Sequence, residues 1–139
     1  MGWTVNPSDF SKMVESDLTE RQRAIALTAL TGVIYQSPVD KGVFRGSHNL
    51  SIGQPDYNYN PNNADKTGQA TISKGISKLN GLVPFTTVYI QTNAPQAMKI
   101  EYGGFTEKPE TPKTINGYSK QAPTGLYGLT FQLVKEKFR

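Results

Sequence analysis

VYIQTNAPQAMKIEYGG, residues 88–104, is the stretch on which the reading of this chain turns. Val88 and Ile90 alternate with Tyr89 and Gln91, the period-two pattern of a half-buried strand. Asn93 offers a side-chain cap, and Pro95 suits a first helical turn, where its missing N–H would find no partner anyway. Ala97, Ile100 and Tyr102 follow at helical spacing, and Gly103 suits the left-handed position that ends a helix. The stretch predicts a strand feeding a two-turn helix that stops on a glycine pair. Glu101 falls in the last turn, where the helix dipole opposes an anion. Two readings of it stand side by side. Either a cation or N–H group elsewhere, on this chain or another subunit, pairs with it, or it is a solvated surface glutamate.

Upstream, residues 7–37 read as one long helix, with Asn6 or Ser8 as cap and Pro7 and Asp9 in the first turn. Phe10, Met13, Val14 and Leu18 form an apolar stripe. Ile25, Ala29 and Val33 continue one stripe, and Leu27, Leu30 and Ile34 form a second. Unbroken, such a helix runs about 45 Å. That is long for a small domain, so its N-terminal half is expected to project or to pack on a neighbour. Thr19 and Gln22 could instead make a capping box and split it. Pro38 ends it, because the residue before a proline avoids the helical region. Residues 1–6 read as an arm whose Trp3, the single tryptophan, docks on the domain or on a neighbour.

Asp40, Lys41 and Gly42 then make a turn anchored by Phe44, and Asn49–Ile52 reads as the end of a strand. Residues 53–68, GQPDYNYNPNNADKTG, form a long loop whose bulky groups are Tyr57 and Tyr59. Loops of this length are usually functional or disordered, and the tyrosines favour a contact surface. Ile72, Ile76 and Leu79 predict a short helix over 69–82, interrupted by Gly75, with a strand as the alternative. Asn80-Gly81 is a turn, and Pro84 is expected to keep 83–86 extended. Residues 105–118 make a second long loop, a flap or hairpin. Thr130, Phe131, Val134 and Phe138 predict a terminal helix at 124–137, with a strand over 127–134 as the alternative. The fold class is therefore α+β: one domain over 1–139, a long N-terminal helix packed on a small, mostly antiparallel sheet, short helices and two long loops.

Composition narrows the chemistry. The 139 residues can bury roughly two-thirds of their extended-chain surface, but 13 Gly, 9 Pro and an apolar fraction of 36% imply a modest core. No apolar run is long enough to span a membrane. The segment MGWTVNPSDF lacks the basic-then-apolar order of a signal peptide, and Gly2 lacks the myristoylation pattern. With no cysteine there are no disulfides, thiolate metal sites or cysteine nucleophiles. The net charge of +4 is spread over scattered Lys and Arg, which permits weak contact with nucleic acid and equally describes a solvated basic face. His48 is the single histidine, near a strand, and reads as structural. No nucleophile elbow, metal-ligand register, calcium-loop spacing or phosphate-binding glycine motif is present. The chain is therefore not expected to be an enzyme or to hold a cofactor or metal.

Three blocks carry a resemblance. The first is Pro38, Val39, Asp40, Gly42, Arg45 and Ser47; the second is Asn93, Pro95, Ala97, Glu101 and Gly103; the third is Ser119, Gln121, Ala122, Pro123 and Gly125. In that order and at those separations they resemble the neck proteins of tailed bacteriophages, the head–tail joining or tail-completion family, over about half the chain. Two departures stand out: Gln96 replaces the family's tyrosine after the proline, and Phe105–Tyr118 lengthens a passage that the family keeps short. The resemblance implies a structural virion protein at the neck or top of the tail, made in the host bacterial cytoplasm. It implies a homo-oligomeric, hexameric ring that terminates or completes the tail, with tail-tube and head-connector proteins as partners and phage DNA in its lumen. The contact candidates are Trp3, Asp40, Arg45, Tyr57, Tyr59, Glu101 and Phe105, with Asp40, Arg45 and Glu101 as ion-pair candidates within the fold or across subunits. The alternatives are another tail or virion-surface binding module, working through the tyrosine loop, and a small DNA-binding protein.

Overall fold

A computed structural model describes residues 7–139. The arm at 1–6 and Trp3 lie outside the described residues. The elements in chain order are α1 (Pro7–Gln36), β1 (His48–Ile52), α2 (Gln69–Leu79), β2 (Val88–Thr92), α3 (Ala97–Tyr102), β3 (Thr114–Ile115), β4 (Tyr118–Ser119) and α4 (Tyr127–Lys137), with a single 3₁₀ turn at Arg45–Ser47. The architecture is α+β, with a long N-terminal helix and two small antiparallel sheets. β1 pairs with β2 from His48 opposite Thr92 to Ile52 opposite Val88. β3 and β4 form a hairpin whose Asn116-Gly117 turn takes positive φ at both residues, the geometry that matches the twist of a two-residue hairpin.

α1 runs unbroken through Thr19 and Gln22. The Thr19 hydroxyl donates to the Glu15 carbonyl one turn back, so the capping box does not form. Its C-terminal half feeds two apolar clusters. Ala26, Leu30 and Ile34 join Leu50, Leu79 and Leu82 beneath α2 and the β1–β2 ribbon. Val33 joins Phe44, Ala94, Ile100, Ala122 and Leu126 around α3 and the approach to α4.

Gly75 does not interrupt α2. A Cβ there would lie 2.2 Å from Leu30 Cδ2, so the glycine leaves room for Leu30 of α1 against α2, and packing outweighs its poor helix propensity. α2 ends at Leu79, short of residue 82. The Asn80-Gly81 turn follows, and the Arg23 guanidinium reaches across from α1 to the Leu79 carbonyl at 2.8 Å. Residues 83–86 are not extended. Pro84 and Phe85 form a turn in which Phe85 takes φ 62, a conformation that usually falls to glycine. α4 starts at Tyr127 rather than 124, because Gly125 at φ 79 breaks the chain direction just before it. Phe131, expected on the packed side of that helix, is 64% exposed; Thr130 is the buried residue and lies against Gly32.

Candidate functional site

Glu101 answers its dipole problem within the chain. Its carboxylate accepts the backbone N–H groups of Leu126, Tyr127 and Gly128, each at 2.9 Å. These are the orphan donors at the start of α4, whose capping position holds Leu126, a residue with no polar side chain. The anion leaves the unfavourable end of α3 and sits at the favourable end of α4. Gly125 makes room, since a Cβ there would stand 2.6 Å from the Glu101 carbonyl oxygen.

Arg45 also bonds to backbone. Its guanidinium donates to the carbonyls of Lys66 at 2.8 Å, Ser37 at 3.1 Å and Tyr35 at 3.3 Å, which fastens the end of α1 to the long loop. Among the described residues neither Arg45 nor Glu101 is in an ion pair. The salt bridges among the described residues are Arg23–Glu20 and Arg139–Glu136. Asp40 faces solvent in the turn after α1.

The first sequence block bonds to the third, and the first and second each bond to the long loop. The Gln121 amide accepts from Val39 N–H at 2.8 Å and donates to the Val39 carbonyl at 3.1 Å, as a strand partner would. The Ser47 and Thr92 hydroxyls meet at 2.6 Å. Asn93 donates to the carbonyls of Asp56 and Asn58, holding residues 53–68 against the β1–β2 ribbon. Tyr59 and Phe105 pack on the second apolar cluster, while Tyr57 is 76% exposed.

Asp65 is a cap that sequence reasoning missed. It accepts from the N–H of Gly68 and from both the N–H and hydroxyl of Thr71, closing the start of α2. Burial pushes its carboxyl up, but the bonds from Thr71, Gly68 and Thr67 outweigh this and hold it below its ordinary value. The Asp-x-x-x-x-x-Thr spacing ahead of a helix was the available signal.

His48 is buried between Ser37 and Tyr127. Nε2 lies 2.5 Å from Ser37 Oγ, and Nδ1 lies 2.8 Å from the Tyr127 hydroxyl. Ser37 gives its one hydrogen to the Val33 carbonyl, so it must accept from Nε2–H, and Tyr127 then donates to a bare Nδ1. That is a neutral imidazole. Burial first, and then the Arg45 charge, push its pKa down to about 3. Burial and the Glu101 carboxylate raise that of Tyr127, keeping it a donor. Ser37 and His48 are each 2% exposed, so this chain of hydrogen bonds locks α1, β1 and α4 together and admits no substrate.

Among the described residues no group of His, Asp or Glu is arranged to hold a metal, and no helix is long and apolar enough to cross a membrane. The outward feature is α1 itself. Every residue from Ser8 to Leu18 is exposed, including Phe10 at 59%, Met13 at 56%, Val14 at 41% and Leu18 at 47%. α4 lies antiparallel to α1. Thr130 meets Gly32 and Gln36, and the Phe138 carbonyl accepts from Arg21. Val14 lies about five turns from Gly32, and Leu18 about five from Gln36, so the apolar stripe continues the strip of α1 that α4 covers. α4 ends opposite Arg21; Thr19 just before it is buried, and residues 8–18 beyond that are exposed. The chain finds no match among protein-family models, curated proteins or solved structures.

Proposed function

We propose that this chain is a structural subunit of the head–tail junction of a tailed bacteriophage, assembling with copies of itself into a ring that completes or terminates the tail and joins it to the head. The observation that carries the reading is the bare half of α1. Four large apolar side chains stand in solvent on a helix whose other half is well packed, the signature of a surface that another protein covers. The blocks resembling neck proteins support the same reading, because their Arg45, Gln121, Asn93 and Glu101 fasten the loops and α4 to the frame that carries that helix. A ring subunit needs such a rigid body with outward contacts. In this reading the partners are its own copies, the tail tube and the head connector, and it acts in the virion after assembly in the host cytoplasm. It performs no catalysis, and DNA passes the ring without sequence-specific contact.

Electron microscopy of particles from a phage lacking this gene tests the proposal. Filled heads beside unattached tails are expected, with overlong tails if the ring is a terminator and tails of normal length if it completes or joins. Intact, normally joined virions would reject the proposal. Tyr57 at 76% exposure favours a second reading, a virion-surface binding module, in which shortening residues 54–66 leaves particles intact but blocks adsorption.

A further inference from the structure

The bare half of α1 is acidic as well as apolar. Residues 8–18 carry Asp9, Glu15 and Asp17 against the single Lys12. At about 100° per residue, Asp17 falls inside the stripe of Phe10, Met13, Val14 and Leu18, Asp9 falls at its edge, and Lys12 points to the opposite side.

At the other end of α1 lies a surface of the complementary kind. A groove of about 700 Å³ opens beside the Pro38–Phe44 turn. Phe44 and Ile100 form its floor, and Val43 and Phe105 wall it. Its rim is basic: Lys41, Lys113 and Lys120 are exposed around it, with Asp40 the single acid. None of these four, nor Asp9, Glu15 or Asp17, is in an ion pair among the described residues.

The two surfaces cannot meet within one molecule. Leu18 and Gln36 are about 27 Å apart along a continuous helix at 1.5 Å per residue, and the groove begins beyond Gln36. From the matched apolar content, the opposite charge and this fixed separation we infer that the groove of one copy receives the acidic, N-terminal half of α1 from the next. The inference rests on the ring reading and names its contact. A knob at one end of a rigid helix and a socket at the other make a heterologous, head-to-tail contact, which closes into a ring when the rotation per step allows and otherwise extends as a filament. Phe10, Val14 and Leu18 would enter the groove over Phe105 and Val43, while Asp9 and Asp17 meet the three lysines at the rim. Charge at such a rim selects partner and register more than it adds affinity.

Charge exchange in the full-length chain tests this. The knob variant carries Asp9→Lys and Asp17→Lys; the groove variant carries Lys41→Glu, Lys113→Glu and Lys120→Glu. All five positions are exposed, and circular dichroism checks that each variant is folded. Masses are read by light scattering and sedimentation. Each variant alone presents like charges at both ends, so its assembly should need about tenfold or more higher concentration than wild type. Mixed at equal amounts, the two should recover wild-type assembly in alternating order, because each reversed surface then faces its complement. Recovery in the mixture is the result that carries the inference. Wild-type assembly by either variant alone, or no recovery in the mixture, would overturn this contact while leaving the ring reading intact. A wild-type chain that stays monomeric at millimolar concentration would overturn both.

Discussion

Replacing Glu101 by alanine removes three hydrogen bonds at once, and the size of the loss can be worked from the geometry. All three donors are backbone N–H groups at 2.9 Å, and the acceptor is charged. Bonds of that kind contribute about 1.5–3 kcal/mol each, and loss of an ordinary N-terminal cap costs about 0.5–2 kcal/mol. The site is only partly buried, so water recovers some of the freed donors, and the expected cost is about 2–4 kcal/mol. With a urea slope of about 2 kcal/mol per molar, the unfolding midpoint should fall by about 1–2 M. Glu101→Gln keeps one acceptor oxygen and loses the charge, so its cost should be about half as large. Circular dichroism against urea reads both variants, and amide exchange across residues 126–130 should accelerate in the alanine variant before the rest of the chain. An alanine variant with a midpoint within about 0.3 M of wild type would refute the assignment of Glu101 as the anchor of α4.

Acid should weaken the protein earlier than its carboxylates alone would dictate. Folded His48 resists protonation down to about pH 3, whereas the unfolded chain takes up the proton near pH 6.5. The stability this provides is complete above pH 6.5 and is lost as pH falls through that window, roughly 2–3 kcal/mol of it by pH 4.5. His48→Gln should flatten the dependence of the urea midpoint between pH 6.5 and 4.5, whatever its stability at neutral pH. Gly75→Ala should lower stability by about 1 kcal/mol, because strain against the fully buried Leu30 exceeds the gain in helix propensity. Gly81→Ala, whose nearest contact would be at 3.6 Å, should change stability by less than about 0.5 kcal/mol in the same denaturation assay. Leu18→Ser should leave the monomer's stability within about 0.5 kcal/mol of wild type, since the side chain is exposed, yet raise the concentration needed for self-assembly in sedimentation.

Local sequence placed most of the regular elements, to within a few residues at their ends. The period of 3.6 placed α1, with both its packed C-terminal half and an N-terminal half in excess of what a small core can cover. Alternation placed β2, and α3 ends at Gly103, which does adopt positive φ, but Asn93 and Pro95 do not open it: α3 starts at Ala97 behind Gln96, and the Asn93 side chain bonds the Asp56 and Asn58 carbonyls instead of capping the helix. The expectation that His48 is structural also rested on composition alone, and its burial agrees. Who meets whom across the fold follows instead from packing between segments distant in the chain. Glu101 was legible as a misplaced charge, but its partners lie at the start of a helix 25 residues on, named by Leu126 standing where a capping side chain belongs. Arg45 looked like an ion-pair partner and instead bonds carbonyls, because the end of α1 leaves acceptors there that no side chain supplies. Gly75 read as an interruption until Leu30 was seen against it. Of Thr130 and Phe131, which together predict α4, the threonine is buried and the ring exposed, because the position facing Gly32 has room for a small side chain and none for an aromatic ring. Local pattern fixes the conformation each segment can adopt. Which charges are satisfied, which apolar stripe stays bare and which groove lies at the far end of the same helix follow from packing in three dimensions, where residues distant in the chain compete for the same space.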